Sequence, residues 1–178
     1  MMAERLHIIM PSGKPKNLPA IFDYYAHKME PHDFELRWHV MQQGPEPDPK
    51  GVNKCNEALE GITAGWVLFH ADDTMQFPPF FRRLAEEIEA HPDAGAFVFG
   101  QQRRRGVVLM PNSERMRPCG VCGGQVVWRR EFLGDNRCDY DAGGSRCDGE
   151  FIKRMYEGDP DAFVFVHEVL MTHNSMEW

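Results

Sequence analysis

The residues best suited to chemistry in this chain are two adjacent carboxylates, Asp72 and Asp73, in the stretch "WVLFHADDTMQFP" (residues 66–78). Five residues fit for a buried strand run into them, and an aromatic, Pro-rich segment follows. Neighbouring acids at the tip of an apolar strand repel each other, and neither is easily held beside a dry interior without positive charge nearby. Carboxylate oxygens are hard donors suited to Mg²⁺ or Mn²⁺, and a divalent ion would relieve that repulsion. The plainer reading is that Asp72 caps the following turn and Asp73 is solvated.

A second group is thiol-based. Cys119 and Cys122 form a C-x-x-C pair, followed by Cys138 and Cys147, a set compatible with a tetrahedral structural Zn²⁺ although the second pair lacks the tight spacing of the first. A reversible disulfide or plain buried thiols fit the same residues. The fifth cysteine, Cys55, sits on the apolar face of a helix and reads as core. The run "RRR" at 103–105 lies beside Gly106 and reads as the solvated tip of a hairpin rather than a phosphate site.

The elements that must position these groups follow from the apolar pattern. "LHIIM" (6–10) reads as a strand ended by the turn formers "PSGKPKN". "LPAIFDYYAHKM" is an amphipathic helix with Asn17 as N-cap and Pro19 in its first turn, and "FELRWHVM" alternates as a strand. The segment 42–51, with three prolines and two glycines, is irregular; "VNKCNEALEGITAG" is then a helix bounded by Gly65. After the strand bearing the acidic pair come a helix over 78–91 and a strand over 95–101. Strand alternating with helix implies a parallel sheet covered on both faces. Beyond residue 100 the alternation stops: a hairpin return in "RRRGVVLM", a strand running into a short helix in "GGQVVWRREFL", a helix "DGEFIKRMYEG", and a long final strand "DAFVFVHEVLM". The fold class expected is an α/β sandwich with a mixed sheet whose first half is wound in a nucleotide-binding style, placing the acidic pair at the carboxyl end of a strand where ligands gather.

Composition narrows the alternatives. Hydrophobic residues make up 42% and charged residues 26% of 178 residues, which suits one soluble globular domain. Twenty Lys plus Arg against 27 Asp plus Glu give a net charge of -7, so the surface repels a phosphate backbone and general nucleic-acid binding is not expected. No apolar run approaches the roughly 20 residues needed to cross a bilayer, and "MMAERLHIIM" is too short a start for a signal peptide. Five cysteines, an odd number, suit a reducing compartment, and the expected location is the cytoplasm.

The order of these pieces resembles the GT-A glycosyltransferases, compact family-2-like members in particular, which move a sugar from a nucleoside diphosphate to an acceptor. In that superfamily a strand ends in a DxD-type motif, often D-x-D-D, preceded by a helix with a Lys/Arg-x-Asn element and a Gly; Lys54, Asn56, Gly65, Asp72, Asp73 and the following proline stand at those positions. "GGQVVWRREFL" (123–133) looks like the acceptor-side Gly-rich strand and Arg-Glu helix. "CDGEFIKRMYEG" looks like the Glu-Asp-x-Asp helix carrying the catalytic base, and "MTHN" like a terminal strand ending in a metal-binding His.

The resemblance implies a three-layer α/β/α, GT-A-like single domain over 1–178 with a mixed, mainly parallel sheet. Residues 1–100 form its nucleotide-binding half and 101–178 its acceptor and catalytic half. It makes Asp72 the chief metal carboxylate, Asp73 an assistant at the metal or the donor ribose, and His173 the remaining protein ligand to Mn²⁺ or Mg²⁺. Donor contacts fall to Pro11, Ser12, Gln43, Lys54, Asn56, His70, Asp72 and Asp73, the donor being a UDP- or GDP-type nucleotide sugar. Asp148, at a helix start whose dipole favours negative charge, becomes the base of an inverting transfer, with Glu150 as its substitute in a shifted register; a simple N-cap is the other reading of Asp148. The acceptor is a small molecule, a glycan or a protein. Three positions depart from the pattern: His70 replaces the first acid of D-x-D-D, Gln42 and Gln43 replace an acid after the second strand, and Cys147 replaces the Glu of Glu-Asp. A nucleotidyltransferase of related architecture and a non-catalytic, zinc-stabilised binding protein are the competing functions.

Overall fold

The structure, a computed structural model, describes residues 4–42, 51–103, 106–139 and 147–173. Its strands are β1 (Arg5–Ser12), β2 (Glu35–Gln42), β3 (Trp66–Phe69), β4 (Met75–Gln76), β5 (Ala96–Gln102), β6 (Val108–Leu109), β7 (Val126–Arg129) and β8 (Phe163–Thr172). Its helices are α1 (Leu18–His27), α2 (Val52–Glu60), α3 (Phe80–Ala90), α4 (Arg130–Leu133) and α5 (Cys147–Gly158). The strands form one sheet in the order β2-β1-β3-β7-β5-β8-β4, with β6 paired to β5. β1 lies parallel to β2 and β3, and β5 parallel to β8, whereas β7 runs against both β3 and β5, and β4 against β8. The expected mixed sheet is present, and its long ladders are the parallel ones.

Period-2 alternation along the strands feeds two cores. Leu6, Ile8, Leu68, Phe97 and Phe99 pack with Ile21 and Tyr25 of α1 and Phe80, Phe81 and Leu84 of α3. Ile9, Val67, Ala96, Val98 and Trp128 pack with Ala58 and Leu59 of α2 and Phe151, Ile152 and Met155 of α5. Helices therefore cover both faces, because neighbouring strand residues point to opposite sides. β5 and β6 pair antiparallel, and Arg103 N–H donates to the Val107 carbonyl at 2.7 Å, as a hairpin requires; Arg104 and Arg105 lie outside the described residues.

Several local expectations change. α2 stops at Glu60, not at Gly65; Gly65 instead has φ +95° and passes so close to β1 that a Cβ would lie 2.7 Å from the Arg5 carbonyl oxygen. Asn17 does not cap α1 with its side chain, for a reason that appears at the site. α4, the Arg-Glu helix, follows β7 at the end of the strand remote from its Gly-rich start. There Arg130 donates to the Ile62 and Gly134 carbonyls at 2.6 and 2.8 Å, so its guanidinium fastens the end of α2 rather than meeting a ligand.

α5 is seated through Gly149, where a Cβ would lie 2.9 Å from Pro118 Cα and 3.1 Å from Cys119 N, while a Cβ on Gly158 meets nothing within 4 Å. Gly149→Ala is expected to destabilise the fold by about 1–3 kcal/mol because backbone must move. Gly158→Ala is expected to stabilise it by up to about 1 kcal/mol. Urea unfolding of the two variants checks the opposite signs.

Candidate functional site

The parallel register of β1 and β3 runs through Ile9 opposite Phe69. β1 then continues to Ser12, whereas β3 ends at Phe69 and the chain folds over the extended end of β1. Thr74 N–H donates to the Ala71 carbonyl at 3.2 Å, closing a turn whose two central residues are Asp72 and Asp73. Asp72 is only 7% exposed, so its charge needs donors. Its Oδ2 accepts from the backbone N–H of Lys14 and from Ser12 Oγ at 3.3 Å. Asn17 Nδ2 donates to the Asp72 carbonyl at 2.8 Å, which is why that side chain is not on its own helix. The Lys14 ammonium pairs with Asp73 Oδ2 at 2.8 Å. One residue of the turn-former loop thus answers both acids, and the repulsion anticipated from sequence is met by backbone dipole, hydroxyl and ammonium.

Immediately after the turn, β4 pairs antiparallel with the end of β8, Met75 opposite Thr172 and Gln76 opposite Met171. His173 is the next residue, anchored by its N–H on the Gln102 carbonyl at 3.0 Å. Asp72, Asp73 and His173 line one cleft of about 590 Å³ at the carboxyl ends of β1 and β3, together with Pro11, Lys14, His70, Gly123, Gly124 and Asp148. Glycine at 124 permits the close approach: a Cβ there would meet Met171 Cε at 3.2 Å, the Phe69 carbonyl oxygen at 3.6 Å and Thr74 Cγ2 at 3.7 Å. Asp148 lies in the first turn of α5, its Oδ2 accepting from Gly123 N–H at 3.2 Å and its Oδ1 from Gly149 N–H at 2.9 Å. The carboxylate is thereby fixed at the lip of the Gly-rich turn.

His70, although it lines the cleft, turns its Nε2 inward. It is 1% exposed and its Nε2 meets Tyr25 Oη at 2.8 Å. Tyr25 O–H donates to Gln76 Oε1 and its oxygen accepts from Gln76 N–H at 3.2 Å, so the proton of the first contact belongs to His70 Nε2. Gln76 Nε2 reaches the Gly124 carbonyl at 3.4 Å. This buried relay ties α1, the acidic turn, β4 and the Gly-rich turn together. Tyr25, Gln76, Ser12, Lys14 and Asn17 thus serve the site in ways the sequence reading did not assign, apart from the donor role given to Ser12. Their signal was a polar loop following a strand that must lie beside β3.

The other expected residues fall elsewhere. Ser12 spends its hydroxyl on Asp72 and does not line the cleft, so it positions a carboxylate instead of touching a donor. Lys54 pairs with Glu57 at 2.7 Å on the outer side of α2, and Asn56 Nδ2 donates to the Cys138 carbonyl at 2.9 Å; neither lines the cleft. Glu150 is exposed and outside the lining, which leaves Asp148 as the acid of that helix turned to the cleft. Gln43 lies outside the described residues.

The four-thiol zinc site is not formed by the described residues. Cys119 is exposed with φ 64°, Cys122 Sγ donates to Gln101 Oε1 at 3.0 Å, and Cys147 is buried at the start of α5. Among the described residues no group of three or more His, Cys, Asp or Glu side chains is clustered as a ready-made metal cage. No described helix is long and apolar enough to cross a membrane.

Solved structures share this architecture. The crystal structure of S. aureus TarS 1–349 superposes with a TM-score of 0.72 at 15% identity, over 94% of this chain and 60% of that one. The chain has the GT-A fold. The complex of TarS 1–349 with UDP-GlcNAc gives a TM-score of 0.69 at 15% identity, covering 95% of this chain and 58% of that one. The mannosyltransferase PcManGT from Pyrobaculum calidifontis, bound to GDP-Man and Mn²⁺, gives 0.67 at 14% identity, covering 98% and 58%. This GT-A chain therefore spans about three fifths of the length of these proteins. No family model matches its sequence, and neither does any curated protein.

Burial holds the His70 imidazole down, to about 4. The unfolded chain therefore takes up that proton first: the contribution of neutral His70 is complete above about pH 6.5 and is lost as pH falls toward about 4, on the order of 3 kcal/mol in all. Urea unfolding between these pH values should show a steeper decline for the native sequence than for His70→Gln, which keeps the hydrogen bond without titrating. Equal slopes would remove His70 from the account.

Proposed function

We propose that this cleft transfers a sugar from a nucleoside diphosphate donor to a hydroxyl acceptor, with inversion and with a divalent ion at the acidic turn. The supporting observation is that Asp72 and Asp73, His173 and Asp148, from three distant parts of the sequence, line one cleft. Two carboxylates and an imidazole suit Mn²⁺ or Mg²⁺, and a site short of a full protein cage leaves coordination positions for donor phosphates. Among the described residues, both hydrogen bonds to the Asp72 carboxylate fall on Oδ2. When bound, the ion would neutralise charge on the departing diphosphate.

The protein's own groups supply the rest. Lys14 sets Asp72 through its N–H and brings an ammonium to the same turn, a cation beside the diphosphate. Asp148, oriented by the N–H groups of Gly123 and Gly149, accepts the proton of the acceptor hydroxyl as its oxygen bonds to the anomeric carbon and the bond to the diphosphate oxygen breaks. Gly123 and Gly124 keep the floor between base and acidic turn free of side chains. The shared fold with proteins captured with UDP-GlcNAc, and with GDP-Man and Mn²⁺, supports a nucleotide sugar of UDP or GDP type as donor. The acceptor is a small molecule, a glycan or a protein.

The reading is tested by thermal melts with UDP, GDP and their sugars, with and without Mn²⁺. A ligand at about 100 times its Kd adds about 2.7 kcal/mol, and a domain of this size should rise by several degrees. Asp73→Ala should abolish the Mn²⁺-dependent part of the rise. Asp148→Asn should retain it while lowering transfer by about 10²-fold or more. No nucleotide-dependent rise with either metal would overturn the proposal.

A further inference from the structure

Part of the cleft wall has no use for a diphosphate. Lys14, Asp72, Asp73 and His173 suit phosphates and their ion, whereas Trp128, Phe151 and Ile152 line the same cleft with aromatic and aliphatic surface. This apolar wall is contiguous with Asp148. Asp148, Phe151 and Ile152 stand at i, i+3 and i+4 of α5, which places them on one face of the helix, and all three line the cleft. Phe151 meets Trp128 edge to face, ring centroids 5.5 Å apart. Trp128 belongs to β7, which follows directly from the Gly-rich turn whose Gly123 N–H donates to Asp148.

One polar atom of the wall is unsatisfied. Trp128 is 0% exposed, and its buried Nε1–H has no acceptor among the described residues. An indole N–H can only donate, and a buried one ordinarily finds a partner. The other rings against Trp128, Phe132 and Phe163 with centroids 6.4 and 5.7 Å away, offer neither oxygen nor nitrogen. A molecule in the cleft is what remains to supply the acceptor.

We propose that the wall of Trp128, Phe151 and Ile152 binds the body of the sugar acceptor, and that this acceptor is an aromatic hydroxy compound whose ring system also carries a carbonyl oxygen. The flat body packs against the two aromatic residues and Ile152, and its carbonyl takes the Trp128 N–H. Its hydroxyl lies one helical turn away at Asp148. The acceptor oxygen bonds to the anomeric carbon, the bond to the diphosphate oxygen breaks, and the hydroxyl proton passes to Asp148. The wall follows on from Asp148 rather than from the loop that carries Lys14, which is why it is given to the acceptor and not to the base of the nucleotide. The role of the bound molecule as acceptor rests on the function proposed above; the binding wall itself does not.

The test titrates the full chain, alone and with Mn²⁺ and UDP or GDP, with umbelliferone, which carries a hydroxyl and a carbonyl on fused rings, with 2-naphthol, which lacks the carbonyl, and with glycerol. Umbelliferone and 2-naphthol should both bind more tightly than glycerol. Trp128→Phe should weaken umbelliferone about 10-fold while leaving 2-naphthol and the nucleotides unchanged. In the native protein, the Trp128 Nε1–H nuclear magnetic resonance signal should move with umbelliferone and not with 2-naphthol, a reading that needs no variant to fold. Aromatic compounds binding no better than glycerol would overturn the proposal. So would an indole signal indifferent to umbelliferone, a loss in Trp128→Phe that falls equally on 2-naphthol, or one that falls on UDP or GDP, which would put the base of the nucleotide on this wall. Should umbelliferone bind as expected while UDP-GlcNAc and GDP-mannose yield no glycoside of it or of any other acceptor, the functional proposal fails and the binding wall stands.

Discussion

The site depends on a pairing of two residues. β4 holds only Met75 and Gln76, yet it joins the segment that carries the acidic turn to the far end of the chain, Met171 and Thr172, and so brings His173 to the cleft that Asp72 and Asp73 line. So short a ladder does not hold itself. It is held because Gln76 is fully buried and its amide is shared with Tyr25 and Gly124, and because glycine at 124 lets the Gly-rich turn lie against Met171 and Thr74. The polar relay from His70 through Tyr25 to Gln76 therefore does what a longer strand would otherwise do. It also explains how an imidazole replaces an acid at position 70: the site asks that residue for a neutral hydrogen bond inward.

The electrostatics of the acidic turn follow from the same economy. Asp72 is buried, and a carboxylate in that position is tolerable only with donors on it. The donors come from the loop after β1, where Lys14 offers both its N–H and its ammonium to the two acids. Asp148 is handled differently, half-exposed and held by two backbone N–H groups, an arrangement that fixes direction and leaves the carboxylate accessible.

Much of this was legible in the sequence, and the rest was hidden for definable reasons. The apolar runs of β1, β3 and β5 and the amphipathic α1 and α3 announced themselves, because burial on one or both faces dictates residue type at every position. β4 did not, since two residues carry no period. The end of α2 was misplaced because two glycines, Gly61 and Gly65, both look like stops, and only the tertiary approach of Arg5 explains the second. Asn17 looked like a cap, which would accept from helix N–H groups, but its side chain instead donates to the Asp72 carbonyl. The thiols were the hardest to read: sequence spacing says nothing about direction, and Cys119 turns outward while Cys122 bonds to Gln101. Lys54 and Asn56 matched a motif yet serve α2 and the segment at 138, since a pattern of residue types does not fix which way a helix presents them.

The account stands on acidic turn and terminal imidazole sharing one divalent ion. The most direct measurement is pulsed electron paramagnetic resonance of Mn²⁺ bound to the protein with GDP or UDP. A nitrogen coupling from a coordinated imidazole is expected, absent in His173→Ala, with the bound Mn²⁺ signal itself lost in Asp72→Asn. A spectrum without nitrogen coupling, or one unchanged by His173→Ala, would contradict the account.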